Sequence, residues 1–204
     1  MEISWQESRS AFTDAAEWFV STAGLVGDGW DQPGLGEWDV RALVGHTSRS
    51  FLTVETYLGR PASAVEVASA VDYFRATKKV AAGPAVAARG RDAGAALGAD
   101  PAAAVAEIAA RVLHLLDTQD GSERMTTIVG GMRLADYLPT RTFELTVHTA
   151  DLATALGQPV DVPVNAARQA LRIVGDLALG EGLAGPLLLA ATGRPGLPPG
   201  FSVL

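Results

Sequence analysis

The chain of 204 residues contains no cysteine and only three histidines. The absence of cysteine excludes disulfides, thiolate metal sites and a cysteine nucleophile, and it agrees with the reducing conditions of the cytoplasm. A long apolar run is also missing: residues 183–191 are interrupted by Gly185 and Pro186, and they fall short of the roughly 20 residues that a membrane helix needs. The first residues have neither a basic start nor an apolar core, so we expect no signal peptide. The sequence therefore predicts a cytoplasmic protein outside the membrane.

Basic residues are in the minority. Lys and Arg together number 16 against 23 Asp and Glu, which gives a formal net charge of −7. Nucleic acids and anionic membrane surfaces select basic patches, so neither is expected as a partner. Hydrophobic residues make up 48% of the chain, which is enough for one domain with a buried core, with or without a short appendage.

Apolar residues recur at helical spacing through most of the chain. The pattern predicts a helix over 8–23, capped by Ser8 or Ser10, and a second helix capped by Asp39 that runs to about Leu58. A third helical region covers 84–118 and is broken at Asp100–Pro101, because Asp is a natural N-cap and Pro suits the first helical position. Residues 24–38 are expected to form a loop, and no element is predicted over 62–82.

The second half of the chain adds one short β signal to the helices. Residues 125–134 are typical of a small hairpin with Gly130–Gly131 at its turn. Asp136 is predicted to open a fourth long helix that ends near Leu156, and two shorter helices are expected over 164–180 and 182–192. We therefore expect an all-α protein: a four-helix bundle over residues 1–158, with one small β-hairpin and a short helical C-terminal extension over 159–204.

The fourth predicted helix carries an unusual set of side chains. On a helical wheel at about 100° per residue, Tyr137, Arg141, Glu144, His148 and Asp151 share one stripe about 80° wide. Glu144 and His148 are four residues apart, which brings both within reach of a single ion. An E-x-x-x-H pair is often only part of a solvated helix face. Apolar residues border this stripe on both sides, however, and charges enclosed by apolar side chains need partners or a metal.

A second histidine, His46, lies far upstream at the end of W-D-V-R-A-L-V-G-H. Two imidazoles and one carboxylate can hold a divalent metal while leaving coordination positions open, as metal catalysis requires. The same donor set suits zinc and non-haem iron, so the identity of the metal stays open. Taken alone, His46 would be interpreted as a half-buried histidine that bonds to a backbone carbonyl. We interpret His114, Trp38 and Tyr57 as structural or packing residues.

Two segments resemble the mycothiol-dependent maleylpyruvate isomerase family, a branch of the DinB-like four-helix-bundle metalloenzymes. These are W-D-V-R-A-L-V-G-H at 38–46 and R-T-F-E-L-T-V-H-T-A-D-L at 141–152. The tail at 192–203, T-G-R-P-G-L-P-P-G-F-S-V, is similar to that of many such proteins. The resemblance implies a DinB-like bundle that holds Zn²⁺, or another divalent ion such as Ni²⁺ or Fe²⁺, through His46, Glu144 and His148. The isomerase proper carries a larger C-terminal domain than residues 159–204 provide, so the resemblance does not extend to maleylpyruvate as the substrate.

The resemblance also implies mycothiol, or another low-molecular-weight thiol, as co-substrate. The leading hypothesis is a metal-dependent thiol S-transferase or thiol-assisted isomerase, in which the thiolate attacks a small electrophile. We expect Arg141 or Arg49 to steady a carboxylate of the thiol or the substrate, and Asp151 to orient a ligand histidine. The alternatives are a metal-dependent hydrolase without a thiol and a non-catalytic metal-binding helical protein. Both a monomer and a homodimer fit the sequence.

Overall fold

The computed structural model describes residues 4–78, 84–194 and 196–204. Within these ranges the chain forms eight α-helices and two short antiparallel ribbons. The helices are α1 (Trp5–Ala23), α2 (Val40–Leu58), α3 (Ala70–Thr77), α4 (Pro84–Ala96), α5 (Pro101–Leu116), α6 (Leu134–Ala155), α7 (Val164–Gly180) and α8 (Ala184–Ala191). The strands are β1 (Pro33–Leu35), β2 (Trp38–Asp39), β3 (Arg124–Thr127) and β4 (Gly130–Arg133). Residues 79–82 of the segment where no element was predicted, and Pro195 of the tail, lie outside the described residues.

Four of the long helices, α1, α2, α5 and α6, pack against one another around a common core. Phe51 of α2 is fully buried and lies edge-on to Phe12 of α1, with ring centroids 5.8 Å apart. Leu145 and Leu152 of α6 are fully buried in the same core. The expected all-α bundle with a small hairpin is therefore confirmed. Among the described residues, no helix combines the length and the apolarity that crossing a membrane requires.

Four helix starts were predicted from a particular capping or opening residue, and two of them are confirmed while two are wrong. The Asp39 carboxylate accepts the N–H of Ala42 at 2.7 Å, and Asp100 caps α5 with Pro101 at the first helical position. Helix α1, however, begins at Trp5 rather than at Ser8 or Ser10. Ser4 and Glu7 form a reciprocal capping box there, which satisfies two backbone N–H groups at once.

Helix α6 begins at Leu134, two residues before the predicted start at Asp136. The Asp136 carboxylate does not cap the helix, because it accepts hydrogen bonds from the guanidinium of Arg133 at 2.6 and 3.2 Å. The acidic side chain in the first turn still interacts favourably with the positive end of the helix dipole. The result is a helix of 22 residues that reaches from the hairpin through the site described below.

The predicted hairpin is present, but its turn consists of Ile128 and Val129, and Gly130–Gly131 opens β4. The second ribbon, β1–β2, lies in the segment expected to be a loop. A Cβ on Gly131 would overlap the carbonyl oxygen of Ala64, and the Gly131 N–H donates to the carboxylate of Glu66 at 2.7 Å. The glycine pair is therefore needed for the close approach of the preceding loop and not for the turn.

Candidate metal centre

One cavity of about 690 Å³ opens beside the bundle, within the range of roughly 300–1,000 Å³ that is usual for small-molecule sites. Its walls come from α2, α3, α4 and α6, and the hairpin turn lies at its edge. The lining side chains include both predicted imidazoles and the predicted carboxylate. The lining residues are Trp38, His46, Arg49, Ser50, Thr53, Tyr57, Tyr73, Phe74, Thr77, Lys78, Val86, Arg89, Ile128, Arg141, Glu144, His148 and Leu204.

The structure brings His46, Glu144 and His148 together at this cavity. One donor atom from each lies within 4.8 Å of the other two. The two imidazole rings meet edge to face with centroids 4.9 Å apart, and Nε2 of His148 lies 3.2 Å from Oε2 of Glu144. Glu144 and His148 are only 23% and 17% exposed, so they do not form an ordinary solvated helix face. The buried Nδ1 of His46 has no hydrogen-bond partner among the described residues. Two nitrogens and one oxygen, partly buried and converging, fit a divalent cation with open coordination positions.

Asp151 lies on the far side of His148 from Glu144. Its Oδ2 is 3.1 Å from Nδ1 of His148, one helical turn away on α6. A carboxylate at this position accepts the Nδ1 proton, fixes the tautomer and leaves Nε2 directed towards Glu144. Asp151 is absent from the cavity lining, so the structure gives it the geometry of a residue that orients His148.

The two histidines of the site have pKa values that are shifted in opposite directions. Burial and the neighbouring His148 lower the pKa of His46 to about 4, so His46 is neutral at pH 7. Burial also opposes the charged form of His148, but hydrogen bonds to Asp151 and Glu144 outweigh it and raise the pKa of His148 to about 9. For Glu144, burial is outweighed by the hydrogen bond from His148 and by the charge of Arg141, which together lower its pKa to about 2. At pH 7, His46 is thus neutral, Glu144 is an anion and His148 is protonated.

Arg141 is buried, with 8% exposure, in a pocket of aromatic rings. Its guanidinium lies 4.9 Å from the ring centroid of Tyr137 and 5.2 Å from that of Tyr73. Among the described residues its side chain makes one hydrogen bond, from Nε to Oγ1 of Thr140 at 2.8 Å, and it pairs with no carboxylate. The terminal nitrogens of Arg141 are therefore free to bind an anion that enters the cavity.

Three further cations line the cavity, against one acid, Glu144. Arg49 and Arg89 form no side-chain hydrogen bond or ion pair within the described part of the chain, while Lys78 reaches Glu181, the residue after α7, at 4.0 Å. A protein of net charge −7 thus has a locally cationic cavity, which favours anionic ligands. Arg49 and Arg141, both predicted to steady a carboxylate, line this same cavity.

Sequence reasoning missed several lining residues. Trp38 and Tyr57 were expected only to pack, but both also line the cavity, and Tyr73 lies in the segment where no element was predicted. A bulky residue that both packs and lines a cavity leaves no separate signal in a single sequence. His114, interpreted as structural, is 87% exposed on α5 and faces Asp117 at 3.7 Å, so it belongs to neither the core nor the cavity.

The comparisons with known proteins agree with this geometry. A family model described as mycothiol maleylpyruvate isomerase N-terminal domain matches residues 11–153, which include α1 from Ala11 onwards and all of α6 except its last two residues. No curated protein and no solved structure gives a significant match.

Proposed function

This chain belongs to the mycothiol maleylpyruvate isomerase N-terminal domain family, and from that membership we propose that it is a divalent-metal-dependent enzyme that uses a low-molecular-weight thiol, mycothiol, as nucleophile on a small electrophile. The observation that carries the proposal is the convergence of His46, Glu144 and His148, whose donor atoms lie within 4.8 Å of one another at a cavity. The absence of cysteine fits the same chemistry, because the sulfur nucleophile arrives with the co-substrate.

We assign the metal to His46, Glu144 and His148, with Zn²⁺ as the first candidate and Ni²⁺ or Fe²⁺ as the others. A bound divalent cation would lower the pKa of a thiol, so that a thiolate is available at neutral pH. The protein contributes a neutral imidazole from His46 and an ionised carboxylate from Glu144 under the same conditions. To bind the metal, His148 would lose the proton on Nε2. It would keep the proton on Nδ1, which donates a hydrogen bond to Asp151.

Arg141 and Arg49 are assigned to substrate binding. Arg141 is fixed between the rings of Tyr73 and Tyr137 and has no carboxylate partner among the described residues. Its guanidinium can therefore donate two parallel hydrogen bonds to the carboxylate of a ligand. Arg49 reaches the cavity from α2, on the same helix as His46. The two arginines orient the electrophile through an anionic group.

The reaction divides into two outcomes of one addition. The thiolate sulfur forms a bond to an electrophilic carbon, and the proton released from the thiol returns to the adjacent carbon when an activated alkene is the acceptor. A transferase releases this thioether as its product. A thiol-assisted isomerase allows rotation about the carbon–carbon bond and then breaks the carbon–sulfur bond as a proton leaves the adjacent carbon. The proton returns to the thiolate, so the thiol and the alkene are both regenerated.

The first test is elemental analysis by mass spectrometry of the purified protein beside His148→Ala. We expect about one equivalent of a transition metal in the parent and a strong loss in the variant. Loss of metal should not be accompanied by loss of the helical circular-dichroism signal. A parent that is empty and takes up no added Zn²⁺, Ni²⁺ or Fe²⁺ would contradict the proposal and leave a non-catalytic helical binding protein.

The second test separates the thiol enzyme from a metal-dependent hydrolase. The metal-loaded protein is incubated with activated alkenes, epoxides and alkyl halides, with and without mycothiol, and products are followed by mass spectrometry. We expect conversion only in the presence of thiol, and loss of conversion in Glu144→Gln. Conversion that proceeds equally without thiol would favour the hydrolase.

A further inference from the structure

The two histidines of the metal centre are held in different ways. Nδ1 of His148 is hydrogen-bonded to Asp151 at 3.1 Å, the usual arrangement for a ligand imidazole. Nδ1 of His46 is buried and has no hydrogen-bond partner among the described residues. Hydrogen bonding therefore does not explain what fixes the orientation of the His46 ring.

Trp38 supplies the missing contact. Its indole lies against the His46 imidazole with ring centroids 4.5 Å apart and an angle of 34° between the planes. Trp38 belongs to β2, just before α2 begins, and lines the same cavity. The two rings are close enough for Trp38 to limit rotation of the imidazole, in the way that aromatic pairs restrict each other's geometry.

Helix α4 in turn holds Trp38 in place. The indole Nε1–H donates to the carbonyl oxygen of Ala87 at 3.1 Å. Gly90 lies one turn further along α4, and a Cβ at this position would come within 2.7 Å of Cε2 of Trp38. That separation is too short for any real side chain. The α4 backbone is thus shaped to receive the indole, which is trapped between α4 and His46.

Small residues bring α4 close to the histidine as well. A Cβ on Gly45, the residue before His46, would overlap backbone atoms of Gly94. Helices α2 and α4 therefore meet backbone to backbone beside the candidate ligand. This contact fixes α4, which carries Ala87 and Gly90, close to the start of α2.

We propose that Trp38 is the positioning residue for His46, braced by α4 through Ala87 and Gly90, and that it does for His46 what Asp151 does for His148. The inference rests on the metal centre of the proposed function. It assigns Trp38 no contact with the metal; its role is to keep the imidazole in the orientation that binds. Loss of an orienting partner typically lowers metal affinity by 10- to 100-fold.

The experiment compares Trp38→Phe and Trp38→Leu with the parent, using the full chain and added Co²⁺ and Zn²⁺. Dissociation constants come from competition with a chelator, and the d–d absorption of Co²⁺ reports the ligand geometry. We expect about ten-fold weaker binding in Trp38→Leu, an intermediate value in Trp38→Phe, and an altered Co²⁺ spectrum in both. A Co²⁺ spectrum and affinity equal to those of the parent in both variants would overturn the inference.

Trp5→Phe is the matched control. Trp5 also donates its indole N–H to a backbone carbonyl, that of Gln119 at 3.0 Å, and it also fills the space left by a glycine, Gly121. It lies on α1 and does not line the cavity. We expect Trp5→Phe to lower stability without changing metal affinity. Equal loss of affinity in Trp5→Phe and Trp38→Phe would mean that general loosening of the bundle is responsible, and would overturn the inference.

A second variant leaves Trp38 itself intact. Gly90→Ala places a methyl group against the indole, whereas Gly175→Ala adds the same group to α7 where nothing lies within 4 Å. We expect weaker metal binding in Gly90→Ala only. In the metal-free protein, NMR couplings about χ1 of His46 should indicate one rotamer in the parent and averaging in Trp38→Leu. If the parent binds no metal, the proposed function fails, and these couplings still decide whether Trp38 positions His46.

Discussion

Nε2 of His148 and Oε2 of Glu144 lie 3.2 Å apart on one face of α6 and form an ion pair. Both groups stay charged at pH 7, because hydrogen bonds to Asp151 and Glu144 raise the pKa of His148 to about 9, while the bond from His148 and the charge of Arg141 lower the pKa of Glu144 to about 2. The proton on Nε2 occupies a nitrogen that would bind the proposed metal. Metal entry must therefore displace this proton, while His46, with its pKa near 4, is already neutral.

We expect metal uptake at pH 7 to release about one proton per ion, all of it from His148. Isothermal titration calorimetry with Zn²⁺ in two buffers of different ionisation enthalpy measures the number. Above pH 9 the release should fall towards zero, because His148 is then neutral before the metal arrives. Uptake without proton release at pH 7 would contradict the raised pKa of His148.

The metal-free protein should be most stable near pH 6.5. The pKa of His46 in the folded state lies below its ordinary value of 6.5. Between pH 6.5 and about 4 the unfolded state therefore binds more protons, and the free energy of unfolding decreases as the pH is lowered. The folded pKa of His148 lies above 6.5, so its contribution is complete below pH 6.5 and is lost as pH rises through about 9. The profile therefore has an acid limb due to His46 and an alkaline limb due to His148. Along each limb the free energy of unfolding changes by roughly 3 kcal/mol at most.

Urea unfolding in the presence of a chelator, from pH 5 to 9, tests this profile. His46→Gln should flatten the acid limb and leave the alkaline limb in place. His148→Gln should flatten the alkaline limb, because the charged pair with Glu144 is gone. A parent whose free energy of unfolding is constant across the range would show that neither pKa is perturbed in the folded state.

Asp151→Asn should weaken metal binding by about 10- to 100-fold, because the neutral amide oxygen is a weaker acceptor for the Nδ1–H of His148 and the amide NH2 can favour the other tautomer. Asp117→Asn is the control: Asp117 lies three residues after His114, as Asp151 lies three residues after His148, but that pair is on the surface at 3.7 Å. Competition with a chelator measures both. We expect no change in Asp117→Asn, and an unchanged affinity in Asp151→Asn would remove Asp151 from its orienting role.

Much of α6 could be predicted from the sequence, because helical periodicity places Arg141, Glu144, His148 and Asp151 on one stripe whatever the tertiary structure. The apolar residues that border the stripe indicated that its charges need partners or a metal. The contribution of His46 was harder to predict, since the packing of α2 against α6 is a long-range contact. The connection between His46 and α6 came from two observations. A metal site would use two of the chain's three histidines, and the family resemblance implies His46 as a ligand.

The role of the Gly130–Gly131 pair and the surroundings of Trp38 could not be predicted, because both depend on backbone contacts between distant segments. Gly130–Gly131 has the composition of a turn, but its glycines allow the close approach of Ala64. In the same way, nothing local to Gly90 indicates that an indole lies against it. The stacking of Trp38 on His46 becomes visible only once α4 is packed against α2.

Arg141→Gln should raise KM for an electrophile that carries a carboxylate by about 10- to 100-fold, the range for a lost hydrogen bond to a charged group. KM for a neutral electrophile should change much less. Arg111→Gln is the control, since Arg111 pairs with Glu55 on the surface at 2.7 Å. Steady-state kinetics with matched charged and neutral electrophiles measure KM for the parent and both variants. An equal rise in KM for both acceptors would indicate distortion of the cavity in place of lost anion binding.

Gly45→Ala should destabilise the protein although alanine is the better helix former. Gly45 is buried in α2, and an added Cβ would overlap the backbone nitrogen and Cα of Gly94. Backbone atoms cannot rotate away, so α2 and α4 must separate, and overpacking of this kind costs roughly 1–3 kcal/mol. Gly175→Ala, where the added methyl group meets nothing within 4 Å, should instead gain up to about 1 kcal/mol from helix propensity. Urea unfolding of both variants measures the difference, and metal affinity should fall in Gly45→Ala because His46 is the next residue. If both variants were equally stabilised, α4 would not pack against α2 in solution, and the brace behind Trp38 would be absent.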